Sequence, residues 1–188
     1  MRPSMILMTI GFALLAGGGE EGAAQSGSLH SPYLQRPQGE IRSLTPREIQ
    51  DLETGAGMGM ALPAELNGYP GPRHVLDADA AGRLPLTPAQ RAAVSRIFAA
   101  MKSDAERLGR EVLQLEGDLE LRFRHGHIDE AALRDLLRRA NEARTELRFV
   151  HLRAHLATRA LLTPAQLAAY QKVRGYTPPA EHHGETKH

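Results

Sequence analysis

The chain has 188 residues, with 23 Lys and Arg against 22 Asp and Glu, so no strong basic field points to DNA or RNA. Cysteine and tryptophan are absent and 4% of residues are aromatic, which excludes disulfides, thiol nucleophiles and Cys metal sites. Ala, Leu, Arg and Glu dominate from about residue 86 to 174, the composition of helices packed by aliphatic side chains and not of a sheet.

Arg2, the apolar run from Met5 to Ala16 and the small residues Gly22 and Ala24 read as a secretory signal over residues 1–24. The run is too short to span a bilayer, so the mature chain, beginning near Gln25, is expected to keep no stable membrane span. Residues 25–80 are expected to form an irregular extension with short helices. Pro32, Pro37 and Gly39 break its start, and Thr45 caps a helix that ends near Thr54, before Gly55. The phrases Gly55-Ala56-Gly57-Met58-Gly59-Met60 and Asn67-Gly68-Tyr69-Pro70-Gly71-Pro72-Arg73-His74 predict an ordered wrap. It holds one helical turn over 62–66 and another helix starting near His74.

From Thr87 the pattern changes. Val94, Phe98, Met101, Ala105, Leu108, Val112, Leu115 and Leu119 alternate steps of four and three, the seam of one long helix over 88–124. His125-Gly126-His127-Ile128 makes a turn in which Gly126 supplies a left-handed residue, and Asp129 caps the next helix. Leu133, Leu136, Ala140, Ala143, Leu147, Val150, Ala154, Ala157 and Leu161 continue the rhythm, which predicts an antiparallel helical hairpin. Phe149, Leu152 and Leu156 lie on a different face. Either the wrap or the last helix covers them, or a second copy does, since a two-helix hairpin buries little alone. The last helix starts at Thr163 and stops at Gly175. Beyond residue 176, Pro178-Pro179 and His182, His183 and His188 read as a disordered tail over 177–188.

Three helix starts share one phrase: Leu44-Thr45-Pro46-Arg47-Glu48, Leu86-Thr87-Pro88-Ala89-Gln90 and Leu162-Thr163-Pro164-Ala165-Gln166. In each, the Thr hydroxyl can accept from the backbone N–H three residues on while the Glu or Gln reaches back to the Thr N–H. Pro occupies the first helical position, where its missing donor costs nothing. The paired boxes Leu86, Thr87, Gln90 and Leu162, Thr163, Gln166, set at the ends of a helical hairpin in an exported, cysteine-free chain, resemble the Spy/CpxP superfamily of periplasmic LTxxQ-motif proteins. That superfamily includes heavy-metal-resistance sensors of the CnrX and ZraP type. The likeness covers about half the chain and leaves Ser31 to His74 outside the usual pattern. It implies an all-α hooked hairpin that pairs into a homodimer in the periplasm of a Gram-negative bacterium.

The resemblance also implies one of two activities. The first is an ATP-independent chaperone, or envelope-stress modulator, that holds unfolded periplasmic proteins on a basic amphipathic surface. Arg134, Arg138, Arg144 and Arg148 are its candidate client-binding residues, although Asp135, Glu142 and Glu146 are spaced to pair with them. The second is a heavy-metal sensor reporting to a membrane-bound regulator. His151 and His155, four apart on one helix face, suit a single Zn, Ni, Co or Cu ion. His74 is the third candidate, with Met58, Met60 and Glu65 as further donors if the wrap folds back. The chaperone is the first expectation, the divalent-metal sensor the alternative, and no cofactor is required by either. An enzyme is not expected. There is no nucleophile elbow, phosphate-binding glycine loop or HExxH, and Glu116 and Asp118 read as charge on a solvated helix face.

Overall fold

A computed structural model describes residues 31, 33–34 and 39–176; the expected signal at 1–24 and the His-containing tail at 177–188 lie outside them. The chain divides between Gln35 and Arg36. Of the first unit only a turn is described, in which the Tyr33 backbone N–H donates to Ser31 Oγ at 3.2 Å. Among its described residues the second unit carries six helices: α1 (Pro46–Glu53), α2 (Leu62–Leu66), α3 (Pro72–Ala80), α4 (Pro88–Arg124), α5 (Glu130–Leu161) and α6 (Pro164–Arg174). Among the described residues there is no strand, and no helix is long and apolar enough to cross a membrane.

The hairpin forms as the periodicity predicts. Gly126 takes φ 67° in the turn, and the Asp129 side chain accepts from the Ala132 N–H to start α5. Arg144 on α5 reaches Glu116 on α4 at 2.8 Å, and Arg153 reaches Asp104 at 3.3 Å, so numbering falls on one helix as it rises on the other. Glu116 therefore belongs to a cross-hairpin ion pair and not to the free solvated face expected of it. Ala105, Leu108, Val112 and Leu115 of α4 bury against Leu136, Ala140, Ala143, Leu147 and Val150 of α5. A second core closes the open end, where Val75 and Ala78 of α3, Leu84, Leu86, Val94, Leu162 and Tyr170 meet.

The wrap is bound along the hairpin. Helix α1 lies on α4, α3 on α4 and α5, and α2 on α5. One glycine makes the first of these contacts possible. A Cβ at Gly109, in mid-α4, would stand 2.0 Å from the Leu52 carbonyl oxygen at the end of α1, so only hydrogen leaves room there. Helix α3 begins two residues before His74, because Pro72 fits the first helical position. The wrap covers the His151 side of α5 and not the second apolar face: Phe149 and Leu156 remain 50% and 57% exposed.

Candidate functional site

The two threonine–glutamine boxes meet at the open end of the hairpin, and their glutamines bind each other. Gln90 Oε1 accepts from the Thr87 N–H at 3.0 Å and Gln166 Oε1 from the Thr163 N–H at 3.0 Å, closing both capping boxes. The amide nitrogens then cross over. Gln90 Nε2 donates to the Leu161 carbonyl and to Gln166 Oε1, both at 2.9 Å. Gln166 Nε2 donates to the Pro85 carbonyl at 3.0 Å and to Gln90 Oε1 at 3.1 Å. Leu86 and Leu162 bury their side chains in the core beside them. An amide can accept and donate at once, whereas a carboxylate only accepts. The third box, ending in Glu48, caps α1 in the same way and takes no part in the clasp.

The chemistry-bearing cluster lies where the wrap crosses α5. His155 Nδ1 is 2.6 Å from the Tyr69 carbonyl oxygen; a carbonyl can only accept, so Nδ1 carries a proton and Nε2 is the ring nitrogen left to meet a ligand. One turn along, Arg159 donates to the Gly68 carbonyl at 2.6 Å and lies over the Tyr69 ring, 4.5 Å from its centroid. A Cβ at Gly71 would come within 3.1 Å of His155 Nε2 and 3.7 Å of His74 Cδ2, so this glycine sits between two imidazoles. His151 is 4% exposed, and its Nε2 is buried with no hydrogen-bond partner. Burial, and then the neighbouring His155, lower the His151 pKa, which keeps the ring neutral. The His74 pKa is also lowered, first by burial and then by the Arg174 charge. His74, His151, His155 and Met101 all line one pocket of about 330 Å³.

Glu65 lies beside this pocket and serves another purpose. Its Oε1 accepts from Tyr170 Oη at 2.6 Å, Arg174 Nε at 3.1 Å and Tyr176 Oη at 3.3 Å. Its Oε2 accepts from the Gly71 N–H at 3.3 Å and stands 3.8 Å from His155 Nδ1. The carboxylate thus ties α2 to α6, and burial with Glu65 raises the Tyr170 pKa. The wrap does fold back as the metal reading required, but it delivers different groups. His74 arrives; Glu65 comes close with its oxygens engaged; Met60 packs against the hairpin core; and Met58, exposed and with φ 44°, does not line the pocket. Met101, read from sequence only as a seam residue, does. Among the described residues no three His, Asp or Glu side chains form a ready metal-ligand group.

The four arginines do not make one open cationic face. Arg134 pairs with Glu130 at 2.9 Å, Arg138 with Asp135 at 2.9 Å and Glu142 at 2.7 Å, and Arg144 with Glu116. Arg148 is exposed. Of the acids that sequence spacing offered, Asp135 and Glu142 pair with Arg138, whereas Arg134 and Arg144 are neutralised by Glu130 and Glu116 instead.

Fold and clasp together define the class: an all-helical hooked hairpin whose two ends are locked by reciprocal threonine–glutamine boxes. The model of the LTXXQ motif family matches residues 77–174, half of the chain, and the chain belongs to this Spy/CpxP-like family. Members of the family are generally periplasmic. Comparison with curated proteins and with solved structures gives no match.

Proposed function

We propose that this Spy/CpxP-like protein is an exported, non-enzymatic sensor that takes up a transition-metal ion in the pocket between the wrap and the hairpin. His151 and His155 are its first ligands. The signal pattern at residues 1–24 and the usual compartment of the family support export. The observation that carries the metal reading is the unpartnered His151 Nε2. A buried polar atom without a hydrogen bond costs about 1–3 kcal/mol, and this one lies a helical turn from an imidazole whose Nδ1 is held by the Tyr69 carbonyl. A metal ion would satisfy both. Neutral rings are the ligating form, and burial lowers the His151 pKa toward that form. His74 borders the same pocket from α3, and an ion held there would bind wrap and hairpin together, a change that a membrane-bound regulator could read.

Metal titration of the full chain with Zn, Ni, Co and Cu, followed by equilibrium dialysis and elemental analysis, tests the proposal. One ion per chain is expected, with at least a roughly tenfold loss of affinity in the His151→Ala, His155→Ala double variant. No bound ion, or an unchanged affinity in the double variant, refutes it.

A second reading is favoured by the exposed apolar stripe of Phe149 and Leu156, which could hold unfolded clients. The paired state of Arg134, Arg138 and Arg144 reduces the electrostatic half of that mechanism. Suppression of aggregation by metal-free protein, weakening as salt rises, would favour the chaperone over the sensor.

A further inference from the structure

We infer that the ion selected by this pocket is soft and monovalent, copper(I), held by His151, His155 and the thioether of Met101. The inference deepens the metal-binding reading above and rests on it. Three observations carry it. The pocket wall contributes imidazoles and one thioether but no carboxylate: Met101, His74, His151 and His155 line it, and no Asp or Glu does. The nearest buried carboxylate, Glu65, is saturated by two tyrosines, an arginine and a backbone N–H. Imidazoles serve Zn, Ni and copper alike, and the thioether is the soft donor that favours copper(I) among them.

The second observation is charge. Arg73 and Lys102 also line the pocket. Each is tied at i,i+4 to an acid, Asp77 at 2.9 Å and Glu106 at 3.2 Å, and neither acid lines the pocket. The paired acids offset much of this charge, and the repulsion that remains scales with the charge of the entering ion, which leaves a weak preference for a singly charged guest.

The third is the placement of Met101. It is half-buried at the edge of the hairpin core, on α4, and lines the same pocket as the α5 histidines. An unbranched thioether adapts its rotamer without disturbing its neighbours. Gly71, where a Cβ would come within 3.1 Å of His155 Nε2, leaves that nitrogen approachable.

The test uses the full chain under anaerobic conditions, with His182→Ala, His183→Ala and His188→Ala so that the tail contributes no ligand. Copper(I) affinity is read by competition with a chromophoric copper(I) chelator, and Zn, Ni and Co are titrated in parallel. Copper(I) is expected to bind at least about a hundredfold more tightly than any of the three divalent ions. Met101→Leu, which conserves volume, should weaken copper(I) by at least about tenfold and the divalent ions by less, with Tm unchanged. X-ray absorption of the copper(I)-loaded unsubstituted methionine form should show one sulfur among the ligands, a readout that holds even if the variant folds poorly. Divalent ions binding as tightly as copper(I), or a copper(I) shell without sulfur, overturns this inference and leaves the metal reading standing. Failure of every ion to bind overturns the metal reading itself.

Discussion

Gln90 and Glu48 sit at the same place in their capping boxes, and the difference between them is one amide nitrogen. The Glu48 oxygen satisfies the Thr45 N–H, and Gln90 does the same for Thr87, but Gln90 also donates twice across to the other box. Gln90→Glu therefore keeps the cap and removes the Gln90 half of the clasp, leaving the Leu161 carbonyl without that donor. A loss of about 1–3 kcal/mol is expected in urea unfolding. Combining it with Gln166→Glu should cost more than the sum of the two single changes by more than about 0.5 kcal/mol, since each single variant keeps the other glutamine's donation and the double sets two carboxylates together with no donor between them. Strict additivity would show that the boxes act as separate caps. The capping half of this arrangement was legible in the Thr-Pro-x-Gln spacing, because a box spans three residues. The reciprocal half was not: it joins residues 76 apart, and no local spacing encodes such a meeting.

At the scale of elements, the wrap depends on close approaches that motifs do not announce. Gly109 lies in the middle of a 37-residue helix, where Ala would ordinarily be favoured by about 0.5–1 kcal/mol. Here the Leu52 carbonyl occupies the space a methyl group would need. Gly109→Ala should therefore destabilise by about 1–3 kcal/mol, the usual cost of overpacking, against the sign that helix propensity predicts. Thermal unfolding together with limited proteolysis near Gly55–Met60 checks this. A variant with a raised Tm and an unchanged cleavage pattern would mean that α1 does not press on α4 in solution. Docking of the wrap was partly foreseen as a fold-back of His74 and Glu65. Which donors it would bring was not, since that choice depends on the Glu65 hydrogen bonds to Tyr170, Arg174 and Tyr176 over a hundred residues away.

For the molecule as a whole, the question is what meets the outer face of α5. The hairpin core and the wrap together bury Val150, His151, Ala154 and His155 and leave Phe149 and Leu156 open, with Arg153 lying over the Phe149 ring at 5.5 Å. A second copy is the expected cover, because paired hairpins bury apolar stripes that one hairpin exposes. Analytical ultracentrifugation should find a dimer, and Leu156→Asp should shift it to monomer. A wild-type monomer, or a dimer indifferent to Leu156→Asp, would leave the stripe free for clients and strengthen the chaperone reading.

Sequence by itself determined the helices, their starts and stops, the hairpin and the family. Each of these rests on contacts within a turn or two, on caps, prolines and a four-three rhythm that chain neighbours can express. Only the tertiary structure decided that Met101 and not Met58 or Met60 borders the histidines, that Glu65 is a strut between α2 and α6, and that His151 is buried with an unpartnered nitrogen. Those outcomes depend on which surfaces meet after the helices have formed, and burial and unmet hydrogen bonds exist only once they have met.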